Sequence, residues 1–199
     1  SQIGYNPQKR GRPSHHPLLA FLSETRRLLW VTLRPGKAGP ANGCIELVQQ
    51  ALTMLPSGHQ VALVRADSGF FVTRFLTFLE QRTLPYIIMA RLTPILRRLV
   101  IHRLPETAWR RVSAGIDVAE TLIALPCWKG QERRVVCLRQ ALRERPQAAG
   151  RRLIECPGYT YQLMVTSVPY AAEVVCRMYA GRADSENRIK ELKEELSLD

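Results

Sequence analysis

The chain has 199 residues, 46% hydrophobic and 23% charged, enough apolar material to bury the core of one domain, alone or with an inserted subdomain. Its 29 Lys and Arg outnumber 17 Asp and Glu for a net charge of +12, and the last 16 residues carry a net −3, leaving about +15 on residues 1–183. A basic body of that size fits a polyanion, either nucleic acid or an anionic membrane surface; Arg91, Arg97 and Arg98 interrupt the most apolar stretch before it is long enough to span a bilayer, so nucleic acid comes first.

In chain order, residues 1–17 read as a loop rich in Gly, Pro and basic side chains. Residues 18–25 and 26–34 read as adjacent strands with a short connection. Gly36, Gly39, Pro40 and Gly43 break the chain, and CIELVQQALTML (44–55) then shows helical spacing of apolar residues. After Pro56-Ser57-Gly58, a buried strand is expected over 59–66, delivering Asp67 at its C-terminal end. A helix near 72–82, a strand over 84–92 and a basic helix near 94–101 follow. The texture becomes mainly β from about 104 to 168, and from Ala171 a long amphipathic helix runs to the end. This order predicts an α/β layer fold, in which chemistry belongs at the carboxyl ends of strands. The five cysteines are odd in number and scattered, with no C-x-x-C; they read as buried small side chains in a reducing, cytoplasmic setting, not as disulfides or a zinc site. Trp30 and Trp109 read as core residues.

The C-terminal helix carries the sharper signal. At about 100° per residue, Arg182, Glu186 and Lys193 fall within roughly 60° of Tyr179. The apolar residues Met178, Ile189, Leu192 and Leu196 centre near −110° from it, so the polar stripe borders the buried one. Either this is a solvated face with salt bridges such as Arg182/Glu186, or its side chains are anchored by the core and reach into a cleft. The sequence Arg-Ala-Asp-Ser also occurs twice, at 65–68 and 182–185, each time beside the end of an expected element.

Tyr-x2-Arg-x3-Glu-x6-Lys, here Tyr179, Arg182, Glu186 and Lys193, resembles the YREK signature of a branch of DDE transposases from bacterial insertion sequences. The segments GYNPQKRGRPSHHPLLAF, ANG (41–43), VRADSGFF (64–71), LPYIIMARLT (84–93) and ENRIKELKEEL (186–196) resemble successive blocks of one of its groups, the thirteen-eighty group, over nearly the whole chain. The resemblance implies a ribonuclease-H-like α/β fold, a mixed sheet flanked by helices. It divides the chain into a first core part (1–103), a β-rich insertion (104–168) and a catalytic helix (169–199).

It further implies metal-dependent cleavage and strand transfer of DNA, with Asp67 and Glu186 as catalytic acids and ligands of Mg²⁺ or Mn²⁺, hard cations that take oxygen donors. Arg182 and Lys193 would neutralise phosphates, and Tyr179 would hydrogen-bond a phosphate or stack on a base. The implied partners are double-stranded DNA, as element ends and as target, with a homodimer on paired ends as one option and association with the bacterial nucleoid when bound. The match is uneven: no Asp precedes Asp67, and the only earlier acids are Glu24 and Glu46. The family's first strand and first acid are therefore expected to be missing, and the chain alone to be inactive or nearly so.

Two local features have competing readings. Arg-Gly-Arg-Pro (10–13) is either the core of a minor-groove reader or a loop whose Lys9, Arg10 and Arg12 touch phosphates. Trp128, beside Lys129, Arg133 and Arg134, either stacks on a flipped base or packs the insertion. A DNA-binding remnant, or an inhibitor of a full-length enzyme, is the alternative to a working catalytic domain.

Overall fold

The structure is a computed structural model that describes residues 4–5, 13–25, 27–142 and 158–181. These divide into two compact units, one holding the described residues up to Pro85 together with Ala180 and Gly181, the other Tyr86–Tyr179.

In the first unit, β1 (Gly4–Tyr5) pairs briefly with β2 (Pro13–Leu22), which pairs antiparallel with β3 (Arg27–Pro35). The register sets His16 opposite Arg34 and Leu18 opposite Thr32, with a bulge between Ala20 and Phe21. α1 (Cys44–Thr53) follows and buries Cys44, Leu47 and Ala51, the i, i+3, i+7 stripe of an amphipathic helix. It starts on Gly43 at φ +78°, a conformation costly for any residue with a Cβ. β4 (Val64–Ala66) is shorter than the strand expected over 59–66. Val64 donates to the carbonyl of Pro85 at 2.7 Å, and residues 59–63 are in no strand. α2 (Thr73–Gln81) buries Phe75, Leu76, Phe78 and Leu79.

The second unit is built on β5 (Tyr86–Ala90). Leu84 donates to Leu79 and Thr83 sits at φ +53°, so the first residues of the strand expected over 84–92 close the preceding helix instead. The basic helix expected near 94–101 is composite: α3 (Pro94–Leu96), capped by Thr93, runs into a π turn at Arg97–Ile101. Then come β6 (Arg110–Ser113), β7 (Ile116–Ile123), β8 (Arg133–Ala141) and β9 (Tyr159–Thr166), paired antiparallel in the order β5-β9-β8-β7-β6. Val135, Val136 and Cys137, like Leu163, Met164 and Val165, are consecutive and buried, so β8 and β9 are covered on both faces. β6, at the edge, is exposed throughout.

Beside this sheet, Arg139 lies between the rings of Trp109 and Tyr159, its guanidinium carbon 4.4 and 4.6 Å from their centroids. It donates two hydrogen bonds to Glu106, at 2.9 and 2.8 Å, and one to Asp117 at 2.9 Å, while Asp117 also accepts from Arg111. Trp109 and Trp30, expected in the core, are half-buried. Trp109 instead flanks the buried cation Arg139, offering its ring face to the guanidinium plane. α4 (Ala172–Ala180) buries Ala172, Val175 and Tyr179. No helix among the described residues is long and apolar enough to cross a membrane.

Candidate active site

Asp67 leaves β4 in extended conformation and caps the turn Ser68–Phe70, its Oδ1 accepting the Gly69 N–H at 2.7 Å. A Cβ on Gly69 would lie 2.7 Å from Pro40 Cβ and 2.9 Å from Asp67 Oδ1. Only glycine lets the Pro40 loop close against the turn that aims the carboxylate.

The other side of this contact is a loop held by main-chain clamps. β3 alternates, and its inward positions end on Arg34, which is buried at 6% exposure. Arg34 Nη1 donates to the carbonyls of Gly39 (3.0 Å), Pro40 (3.1 Å) and Asn42 (2.5 Å), and Nε donates to that of His16 (3.2 Å). Arg74, from the first turn of α2, donates to the carbonyl between them, Ala41, at 3.0 Å. Two arginines thus satisfy the loop's carbonyls through main-chain oxygens. Burial lowers the pKa of Arg34 and raises that of the Cys44 thiol beside it, with Arg74 pulling Cys44 the other way. The buried thiol stays protonated and is no nucleophile. The sequence motifs pointed to neither arginine, although an inward Arg closing a strand before a Gly-rich loop is a readable signal; Ser68-Gly69 after Asp67 is legible as a turn, and Asp67 does cap it.

Of the acids implied by resemblance, Glu186 lies outside the described residues, as do Arg182, Lys193, Lys9, Arg10 and Arg12. Tyr179 is described and is buried at 9% exposure, on the same stripe as Val175. The angular reading put it on the polar stripe; its ring is mostly apolar and packs inward, as amphipathic side chains do. Trp128 is 3% exposed and ends the turn Pro126–Trp128, with the Arg133 guanidinium 4.8 Å above its ring. Its face is therefore occupied by a cation of its own chain. Cys44 and Cys137 are buried as expected, Cys176 is half-buried and Cys127 is exposed.

Mg²⁺ or Mn²⁺ takes hard oxygen ligands, and Asp67 is one such donor, presented at a strand end. Among the described residues no group of three or more His, Cys, Asp or Glu gathers into a metal cluster. One carboxylate fits the ion and does not by itself make a site.

An acid carried just past the end of a strand stands where α/β proteins commonly place chemistry. The family model described as transposase DDE domain group 1 matches residues 8–199. The chain belongs to that DDE transposase family, whose members cleave and transfer DNA and generally use divalent metals. Its α/β architecture is consistent with the ribonuclease-H-like fold of such domains. A comparison with curated proteins finds no match.

Proposed function

We propose that the chain is the catalytic part of a transposase of the YREK-signature branch, thirteen-eighty group, cutting the ends of a mobile element and joining them to target DNA. The observation that carries this reading is Asp67 at the exit of β4, fixed by its Gly69 bond, in a chain matched by the family model from residue 8 to residue 199. Asp67 and Glu186 hold the divalent ions. When bound, those ions supply positive charge against the reacting phosphate. Arg182 and Lys193 neutralise neighbouring phosphates, and Lys9, Arg10 and Arg12 contact the backbone outside the cut. Burial of the Tyr179 ring favours a hydrogen bond from its hydroxyl to phosphate over base stacking. For Trp128 to stack on a flipped base, Arg133 must leave its ring. Two copies on paired ends complete the assembly.

The test is substitution in the complete protein. Asp67→Ala or Glu186→Ala abolishes Mg²⁺-dependent cleavage of element-end DNA and leaves salt-sensitive binding intact. Cleavage at the wild-type rate by either variant refutes the assignment.

A second reading, binding without cutting, is favoured by one observation: the net charge of +12, which suits contact with phosphates whether or not they are cut. Metal dependence separates the readings, since phosphate contact by Arg and Lys needs no metal.

A further inference from the structure

The second unit carries a segment of one-sided charge. Residues 91–104, RLTPILRRLVIHRL, contain Arg91, Arg97, Arg98, Arg103 and His102, and no acid occurs between Glu80 and Glu106. Arg91, Arg98, His102 and Arg103 are exposed, and among the described residues none of these four is in an ion pair. The contrast is with Arg110, Arg111, Arg134 and Arg139 of the same unit, which all face carboxylates.

We propose that Arg91, Arg98, His102 and Arg103 form a preformed ridge that lies on the phosphate backbone of duplex DNA. This rests on the transposase reading above and adds to it the surface on which the DNA sits.

The ridge is rigid for local reasons. Thr93 Oγ1 accepts the Leu96 N–H at 3.2 Å, and the Arg97 N–H bonds to Thr93 O at 2.9 Å. Leu96 and Val100 are fully buried and anchor the segment, which packs against β7. The His102 N–H reaches back five residues to Arg97 O at 3.2 Å, closing a turn one residue wider than an α-turn. In an unbroken α-helix Arg98 and Arg103 would point about 140° apart. The wider turn leaves both on the outer side.

They are then separated by roughly one turn, about 5 Å, comparable to the spacing at which a strand of duplex presents phosphates, one per about 3.4 Å of helix axis. The backbone that carries them is ordered in advance, so only side-chain freedom is lost on meeting phosphate, and the planar guanidinium fork suits its oxygens. No acid interrupts the segment in sequence and, among the described residues, no carboxylate pairs with these four side chains, so charge complementarity selects a polyanion as the occupant.

The experiment uses the full chain and a duplex of arbitrary sequence, with affinity measured across a salt series. In the Arg98→Gln/Arg103→Gln double variant, the slope of log K against log salt should shrink by about 0.9 for each phosphate that is no longer neutralised, near 1.8 for the pair. The weakening should be equal on unrelated duplexes, and Arg98→Lys/Arg103→Lys should retain most of the slope. Independently of any variant, bound duplex should protect Arg98 and Arg103 of the wild-type chain from an arginine-selective dicarbonyl reagent. An unchanged slope in the Gln variant, or no protection, overturns the ridge. Preference for a single-stranded RNA of equal length, abolished in the Gln variant, overturns the choice of DNA. A wild-type chain with no salt-dependent affinity for duplex DNA sinks the transposase reading itself.

Discussion

Replacing Gly69 by Ala tests whether the contact between the Pro40 loop and the Asp67 turn sets the carboxylate's position. The added methyl would meet Pro40 Cβ at 2.7 Å and Asp67 Oδ1 at 2.9 Å. Carbon pairs settle at about 3.5–4.0 Å, so something must move by about 1 Å. Pro40 cannot yield easily, because its ring is stiff and the carbonyls of Gly39, Pro40 and Asn42 are all held by Arg34. The displacement therefore falls on residues 67–69. Overpacking of this kind costs about 1–3 kcal/mol, which in a chain of this size lowers the thermal midpoint by about 2–4 °C per kcal/mol. A displacement of about 1 Å at a reacting centre costs about 100-fold in rate. The assay pairs thermal unfolding with Mg²⁺-dependent cleavage of end DNA, and adds Gly69→Ala/Pro40→Gly, in which the ring is gone. The double variant should regain much of the missing cleavage. A Gly69→Ala protein with wild-type stability and wild-type cleavage would refute the reasoning.

Other consequences can be measured on the same protein. Hydrogen bonding to Arg139 holds the Glu106 carboxyl below its usual range. Burial pushes Asp117 up, but its bonds to Arg111 and Arg139 more than offset this and leave it lowered. Both contribute stability that is complete above the ordinary carboxylate range, about pH 4, and is lost as pH falls through their lower folded values. Acid titration of the thermal midpoint should therefore show a steeper decline below about pH 4 in wild type than in Arg139→Met, which starts lower at neutral pH. Equal acid limbs would exclude the network as their source. Of the four described cysteines, exposed Cys127 should react first towards a disulfide reagent at pH 8. Cys44 and Cys137, whose thiols burial pushes up, should react only on unfolding, and Cys176, pushed up to about 11, should react slowly. Prompt reaction of Cys137 in the folded chain would contradict its burial.

Much of the layout was legible because local chemistry decided it. The β2–β3 hairpin, α1, α2 and the β character of the chain from Arg110 onward follow from β-prone runs, helical spacing and Gly/Pro breaks, although β2 already opens at Pro13, within the stretch read as loop. What escaped depended on partners elsewhere in the chain. An apolar run at 59–66 needs a neighbouring strand, and only its last three residues are in β4. Leu84 and Pro85 are read as strand, but Leu84 closes the preceding helix and β5 begins at Tyr86, and no pattern of apolar positions distinguishes a π turn from an α-turn over eight residues. Asp67 was legible as a strand-end acid. The devices that aim it, Gly69 against Pro40 and Arg34 under the loop, are contacts between segments about 30 residues apart or between a side chain and main-chain oxygens, and neither has a sequence period. Tyr179, read at the border of the polar and buried stripes, has its side chain on the buried side.

Arg34 grips its loop entirely through carbonyl oxygens, which every residue possesses. The loop's shape is thereby uncoupled from most of its own side chains. Lys37 and Asn42 can be exchanged freely as far as this clamp is concerned, while Arg34 itself has no substitute: lysine lacks the fork, and any shorter residue strands several acceptors at once. Sequence drift should therefore be permitted in the loop and forbidden on the strand beneath it. The same arrangement offers a place to graft new phosphate-contacting side chains beside Asp67 without rebuilding the backbone that carries them.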